Sequence, residues 1–182
     1  MRIALIGPRG TGKTKVSLML ARSLKMPLLQ LDTLISYDSA GKTIPELVAQ
    51  NNGDWHVFRD IEFQVLQKAA HLEDAILDCG GGIVVDLDAN NEEIFSEKKN
   101  RLLSGCIVFF LNAPLETIVA KITGDSARPS LSQTKNAEQI YYHRLPYYRR
   151  AARHEIFVEK GKRTEAALAI LDILKEKYLL KL

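Results

Sequence analysis

Eight residues near the start of the chain narrow its fold more than any other stretch. Gly7-Pro8-Arg9-Gly10-Thr11-Gly12-Lys13-Thr14 satisfies G-x-x-x-x-G-K-[S/T] at every fixed position. The apolar run Ile3–Ile6 before it reads as a buried strand. The spacing of Val16, Leu20 and Leu24 after it predicts a helix over Lys13–Lys25. A strand, a glycine-rich turn and a helix are the setting in which this pattern binds phosphate. Glycines let the backbone fold into a nest of N–H groups, and the helix N-terminus adds a dipole that favours an anion. Lysine reaches the β- and γ-phosphates, and the hydroxyl after it ligates Mg²⁺. Gly7, Gly10, Thr11, Gly12, Lys13 and Thr14 are therefore the candidate nucleotide site, with Thr14 the candidate metal ligand. The competing explanation, a glycine-rich turn that happens to precede a helix, is disfavoured by the complete match in this setting.

The rest of the chain alternates in the same way. Leu28–Leu31, Ala75–Cys79, Cys106–Leu111 and Glu155–Val158 read as strands. Ile44–Gln50, Trp55–Leu72, a charged surface segment Glu92–Leu103, a stretch from Pro114 to about Ile122 and Ala137–Arg153 read as helices. The last of these is expected to break near Pro146. Thr164 is expected to cap a final amphipathic helix. Strands alternating with helices imply an α/β protein with a parallel sheet covered on both faces. The length of 182 residues fits one domain of roughly 100–200 residues, and no linker or repeat divides it. A polar loop, 124–135, carries Arg128 and reads as a lid.

Composition excludes several alternatives. With 46% hydrophobic and 26% charged residues, the chain is neither disordered nor collagen-like. Its net charge of +3 is too weak to imply nucleic acid. Arg144, Arg149, Arg150 and Arg153 do interleave with tyrosines, but they form a single basic helix. Cys79 and Cys106 sit in apolar runs, as buried reduced thiols of a cytoplasmic protein do. The apolar start is too short for a secretory leader, and no run approaches a membrane span. There is no Asn-Lys-x-Asp segment of the kind that reads guanine, and Asp78-Cys79-Gly80-Gly81 is too short a match to outweigh that. The size suits a small-molecule or nucleotide kinase.

Two further features suggest the acceptor. Arg59 and Arg144 are guanidinium forks of the kind that grips a planar carboxylate in bidentate fashion, and Glu62, three residues after Arg59, is placed to hold that fork. Gly80-Gly81-Gly82 follows a strand end, where ligands of doubly wound sheets sit and where glycine permits close backbone approach.

Taken in order, Gly7–Thr14, Asp32, Phe58-Arg59-x-x-Glu62, Gly80-Gly81-Gly82, Arg128-Pro129 and Arg144-x-Pro146-x-Tyr148 resemble the shikimate kinase family over nearly the whole chain. The resemblance implies a three-layer, five-stranded parallel sheet of the P-loop, nucleoside monophosphate kinase-like kind. It implies ATP-dependent phosphorylation of the 3-hydroxyl of shikimate, with ATP and Mg²⁺ as cofactors. By the same resemblance Lys13, Asp32 and Arg128 are catalytic, and Lys121 and Arg128 flank ATP. Asp32, Arg59, Gly80, Gly81, Gly82 and Arg144 then surround the substrate. The expected partner is one small hydroxy acid, with no nucleic acid or membrane, and the expected state is a monomer in the cytoplasm.

The chain departs from the family after the second strand, where Asp-x-Asp is usual and Gln30-Leu31-Asp32 stands. Asp32 lies nineteen positions after Lys13, which matches the family's spacing to its substrate-side carboxylate and leaves Gln30 on the metal side. The other register would put Asp32 at the metal and Leu34 at the substrate. An amide offers the metal an oxygen without charge. A kinase for another small hydroxy acid, or a non-catalytic nucleotide- or ligand-sensing domain of the same fold, therefore stands as the alternative.

Overall fold

The computed structural model describes residues 1–123 and 135–178. Its centre is a five-stranded sheet in the order β2-β3-β1-β6-β7. The strands are β1 (Arg2–Ile6), β2 (Leu28–Gln30), β3 (Ala75–Asp78), β6 (Ile107–Asn112) and β7 (His154–Phe157), and every neighbouring pair is parallel. Strand side chains alternate between faces, so a sheet covered on both sides needs strands that are apolar throughout. Ile3 and Leu5 of β1, with Phe109 and Leu111 of β6, pack under α1 (Lys13–Leu24) and α8 (Arg163–Tyr178), against Val16, Leu20, Ile170 and Leu174. Ala4, Ile6, Val108 and Phe110 point the other way. They meet Ile35 of α2 (Leu31–Asp38), Val65 and Leu66 of α4 (Trp55–Ala69), Leu103 of α5 (Glu97–Leu103) and Tyr148 of α7 (Ala137–Ala151). Two short helices complete the helical set among the described residues, α3 (Ile44–Gln50) and α6 (Leu115–Thr123).

This order makes β1 the switch point, with β3 on one side and β6 on the other. In open α/β sheets, ligands gather outside the carboxyl ends of the strands at such a point. The phosphate-binding motif leaves β1 there and opens α1. Gly12, at φ 96°, is the N-cap of α1, and no side chain caps that end. Its amide groups are thus left facing the motif, as an anion-binding helix start requires.

Several local expectations are corrected. The second strand stops at Gln30, and Leu31 already belongs to α2, because Leu31 and Ile35 bury one helical face together. Asp32 therefore stands in the first turn of α2, where the helix dipole favours a carboxylate. The segment expected to be one helix, Glu92–Leu103, is divided. Glu93–Phe95 forms β5, antiparallel to β4 (Val85–Leu87), and only Glu97–Leu103 is helical. Asp88 explains the turn between the strands, since its carboxylate accepts from the amides of Asn90 and Glu92 at 2.8 and 2.9 Å. Nor is α5 a plain surface helix, because Lys99 is completely buried. Pro146 does not interrupt α7. Burial of Ile140, Arg144 and Tyr148 on one face holds the helix together across the missing N–H. Finally, α8 begins at Arg163, which puts Thr164 inside the helix. Cys79 and Cys106 are buried and unpaired, as expected.

Phe110 is fully buried and stacks on Tyr148, with centroids 5.1 Å apart, joining the central sheet to α7. Phe110→Ala is expected to cost about 3–5 kcal/mol of stability in urea unfolding, the range for truncating a buried aromatic ring.

Candidate active site

At the carboxyl ends of the strands lies a cavity of about 900 Å³. One end is the phosphate loop. The Lys13 ammonium donates to the carbonyls of Gly7 and Pro8 at 2.8 and 2.9 Å, and the Thr11 hydroxyl donates to Pro8 at 3.0 Å. Lys121 of α6 reaches across to donate to the Gly10 carbonyl at 2.6 Å. Burial lowers its pKa, and the nearby positive charges of Arg163 and Lys15 lower it further. Arg163, at the start of α8, also lines the cavity. A Cβ on Gly12 would come within 2.9 Å of its Nε, so glycine here lets that side chain lie over the loop without shifting. Arg163 carries no signal in the sequence, because nothing local ties the last helix to the first loop.

The other end is built from α2, α4 and the glycine run. Gln30, Asp32, Asp78, Arg59, Glu62 and Gly80–Gly82 all line the same cavity. Gln30 and Asp78 stand opposite each other in the β2–β3 register. Each of the three glycines makes room for a different neighbour. A Cβ on Gly80 would lie 2.6 Å from the Asp32 carboxylate. One on Gly81 would lie 3.2 Å from the Arg9 amide of the phosphate loop, and one on Gly82 would overlap the Arg59 guanidinium.

Arg59 is 5% exposed. Its Nη1 donates to Glu62 at 3.0 Å and to the Gly82 carbonyl at 3.2 Å, and its guanidinium faces the Trp55 and Phe58 rings. Glu62 also accepts from Lys99 at 2.7 Å, and Lys99 donates to the Val85 carbonyl at 2.6 Å. Burial works to raise the Glu62 pKa, but the charges and hydrogen bonds of Lys99 and Arg59 outweigh it and hold the carboxyl below its usual range. Burial likewise lowers the Lys99 pKa, only partly countered by Glu62 and Asp86. The signal for Lys99 is its spacing, three after Ser96 and four before Leu103. All three positions are buried, but lysine is the residue least expected on such a stripe.

Arg144, on α7, is 2% exposed and is not among the cavity-lining residues. Its Nη1 donates to the Gly81 carbonyl at 3.2 Å, and Nε donates to Glu93 at 2.8 Å. Nη2 bonds the second Glu93 oxygen, and the Tyr148 hydroxyl bonds Gly81. Burial, then, is the main influence that pushes the Tyr148 pKa up, to about 12. Arg59 and Arg144, 85 positions apart in sequence, are thus brought together, with Arg59 Nη2 3.8 Å from Glu93. Glu93 carries no signal in the sequence, because its strand of three residues lies in a charged stretch whose pattern predicts helix. Arg128 and the expected lid, 124–135, lie outside the described residues except for Lys135, which pairs with Glu92 at 2.6 Å.

A parallel five-stranded sheet whose central strand runs into a phosphate loop defines the nucleoside monophosphate kinase-like class of P-loop proteins. Comparison with known proteins narrows this class. The family model described as Shikimate kinase matches residues 9–175. Shikimate kinase from Leptospira borgpetersenii is 42% identical over 169 residues, covering 92% of this chain and 94% of its own. That from Salinibacter ruber is 32% identical over 173 residues, 94% of this chain and 76% of its own. Among solved structures, shikimate kinase from Acinetobacter baumannii in complex with shikimate has a TM-score of 0.81 at 29% identity, covering 98% of this chain and 95% of that one. The chain belongs to the shikimate kinase family.

Two outcomes follow from the buried charges. Lys99→Met leaves Glu62 with one cation fewer in a buried place and is expected to cost about 3–5 kcal/mol in urea unfolding. The folded pKa values of Glu62 and Glu93 both lie below the usual carboxylate value. Their contribution to stability is therefore present above that value and is lost as pH falls through the folded ones. Unfolding midpoints measured against pH should drop steeply below about pH 4, and less steeply in Glu93→Gln.

Proposed function

We propose that this chain transfers the γ-phosphoryl group of ATP to the 3-hydroxyl of shikimate. The observation that carries the reading is that one cavity holds both the phosphate loop and the Asp32, Arg59 and glycine-run end, with Gly81 packed against the Arg9 amide. A phosphoryl donor and a small acid then lie side by side, and positioning of this kind supplies most of the catalysis in phosphoryl transfer. The loop amides and Lys13 would hold the phosphates, and Lys121 and Arg163 would flank the nucleotide. The resemblance gives Arg128 the role of lid arginine over the transferred group. Arg59, fixed by Glu62, would receive the acid group, and Arg144 would complete the grip. Asp32, in the first turn of α2 and beside Gly80, would accept the hydroxyl proton as the oxygen attacks.

Mg²⁺ fits this donor set as a passenger of ATP. Among the described residues, no group of three or more His, Cys, Asp or Glu could form a metal cage. Mg²⁺ needs none, because it keeps its waters and takes one or two protein oxygens together with phosphates. The Thr14 hydroxyl, with Asp78 and Gln30 across the β2–β3 register, would hold it. Once bound, Mg²⁺ would neutralise charge on the β- and γ-phosphates. One observation favours a second reading, a kinase for another small hydroxy acid. Gln30 brings no charge to the metal side, where the family has a carboxylate.

We also place the protein in the cytoplasm as a single-domain monomer. The buried unpaired cysteines support that placement. Among the described residues, no helix is long and apolar enough to cross a membrane.

ADP release coupled to a colour change, with shikimate and a panel of hydroxy acids, tests the reading. Shikimate-dependent release is expected, and Asp32→Asn should lower kcat by about 10²–10⁴-fold. A variant that instead mainly raises the Mg²⁺ requirement would move Asp32 to the metal side.

A further inference from the structure

The Glu93 carboxylate occupies the place between two arginines that a ligand's acid group would need. Both of its oxygens bond the Arg144 fork, through Nε at 2.8 Å and through Nη2, and Oε1 also lies 3.8 Å from Arg59 Nη2. Nη1 of Arg144 is committed to the Gly81 carbonyl, so every nitrogen of that guanidinium is engaged within the protein. Arg59 keeps one buried group, Nε, with no hydrogen-bond partner among the described residues.

The charges balance without a ligand. The buried cations here are Arg59, Lys99 and Arg144, and the half-exposed Lys98 stands at the rim, 3.7 Å from Asp86. The anions are Glu62, which pairs with Arg59 and Lys99, Asp86, which lies 3.4 Å from Lys99, and Glu93. Three of each sign are gathered at a nearly dry place. An incoming carboxylate would leave an uncompensated buried negative charge, which costs several kcal/mol. Withdrawal of Glu93 restores the balance.

Glu93 is also mounted so that it can leave. It sits on β5 of a two-stranded sheet that is separate from the central one. The β4 half of the hairpin is fixed, with Val85 fully buried and its carbonyl held by Lys99, whereas β5 rests on α7 through His143 to the Glu93 carbonyl at 2.9 Å, Phe95 against Tyr147, and Arg150 over Phe95. The next residue, Ile94, is exposed, so the strand has solvent on its other side.

We propose that Glu93 is a tethered competitor for the substrate's carboxylate: it sets the affinity for the acid, and it is displaced from the Arg144 fork when the acid binds. The proposal rests on the reading of Arg59 and Arg144 as the acid-binding pair.

Calorimetric titration of shikimate into wild type, Glu93→Gln and Arg59→Lys tests it, with kcat and KM measured on the same proteins. Gln keeps the length of the side chain and removes the competing charge. Glu93→Gln should bind shikimate about tenfold or more tightly, with the change falling on Kd and KM. Unchanged affinity in Glu93→Gln, while Arg59→Lys still weakens binding, overturns the competitor role and leaves the acid site standing. Weaker binding by Glu93→Gln makes Glu93 a support for Arg144 and also overturns it. Failure of wild type and Glu93→Gln alike to bind shikimate overturns this proposal together with the shikimate reading. Amide hydrogen exchange on the wild-type protein removes any dependence on how the variants fold. Saturating shikimate should speed exchange across residues 93–96, and unchanged or slower exchange there overturns the displacement.

Discussion

Glu62 holds two cations at once, and much of the site hangs on that carboxylate. Arg59, from the preceding turn of the same helix, and Lys99, from α5, both donate to its Oε2 atom at 3.0 and 2.7 Å. Lys99 in turn grips the Val85 carbonyl at the start of the hairpin. One acid thereby connects α4, α5 and β4 and points a guanidinium at the cavity. An arginine placed among Trp55 and Phe58 without such a partner would have to carry its charge at full desolvation cost. The arrangement is stable because neither cation has to rely on water.

The two ends of the cavity follow different construction rules. The phosphate end is backbone: loop amides, an uncapped helix start and carbonyls that hold Lys13. Its geometry follows from strand, turn and helix occurring in sequence, which is why eight contiguous residues suffice to specify it. The acid end is assembled from side chains on four elements that lie far apart in the chain. It depends on the packing that brings α7 against Gly81 and α4 against Gly82.

That difference explains what could be read in advance. The sheet and its main helices were legible because buried parallel strands are apolar throughout, as in Ile3–Ile6 and Ile107–Leu111. Asp32, Arg59, Arg144 and the glycine run were legible through spacing and resemblance, and the structure does gather them. What stayed hidden depended on long-range contact. Lys99 is polar on a buried stripe, Glu93 stands on a strand of three residues, and Arg163 meets Gly12 across the whole chain. At Pro146 the opposite holds, since tertiary burial around Arg144 and Tyr148 overrides a local breaker.

The three glycines at 80–82 face a carboxylate, a backbone amide and a guanidinium in turn. Adding a methyl group at any of them presses on a different part of the site, so no single compensating change elsewhere relieves more than one. The run therefore behaves as a stretch closed to sequence drift. Divergence towards a new acceptor has to work through the surrounding walls, α2 and the β4–β5 hairpin, where side chains can be exchanged one at a time while the floor of the cavity stays bare.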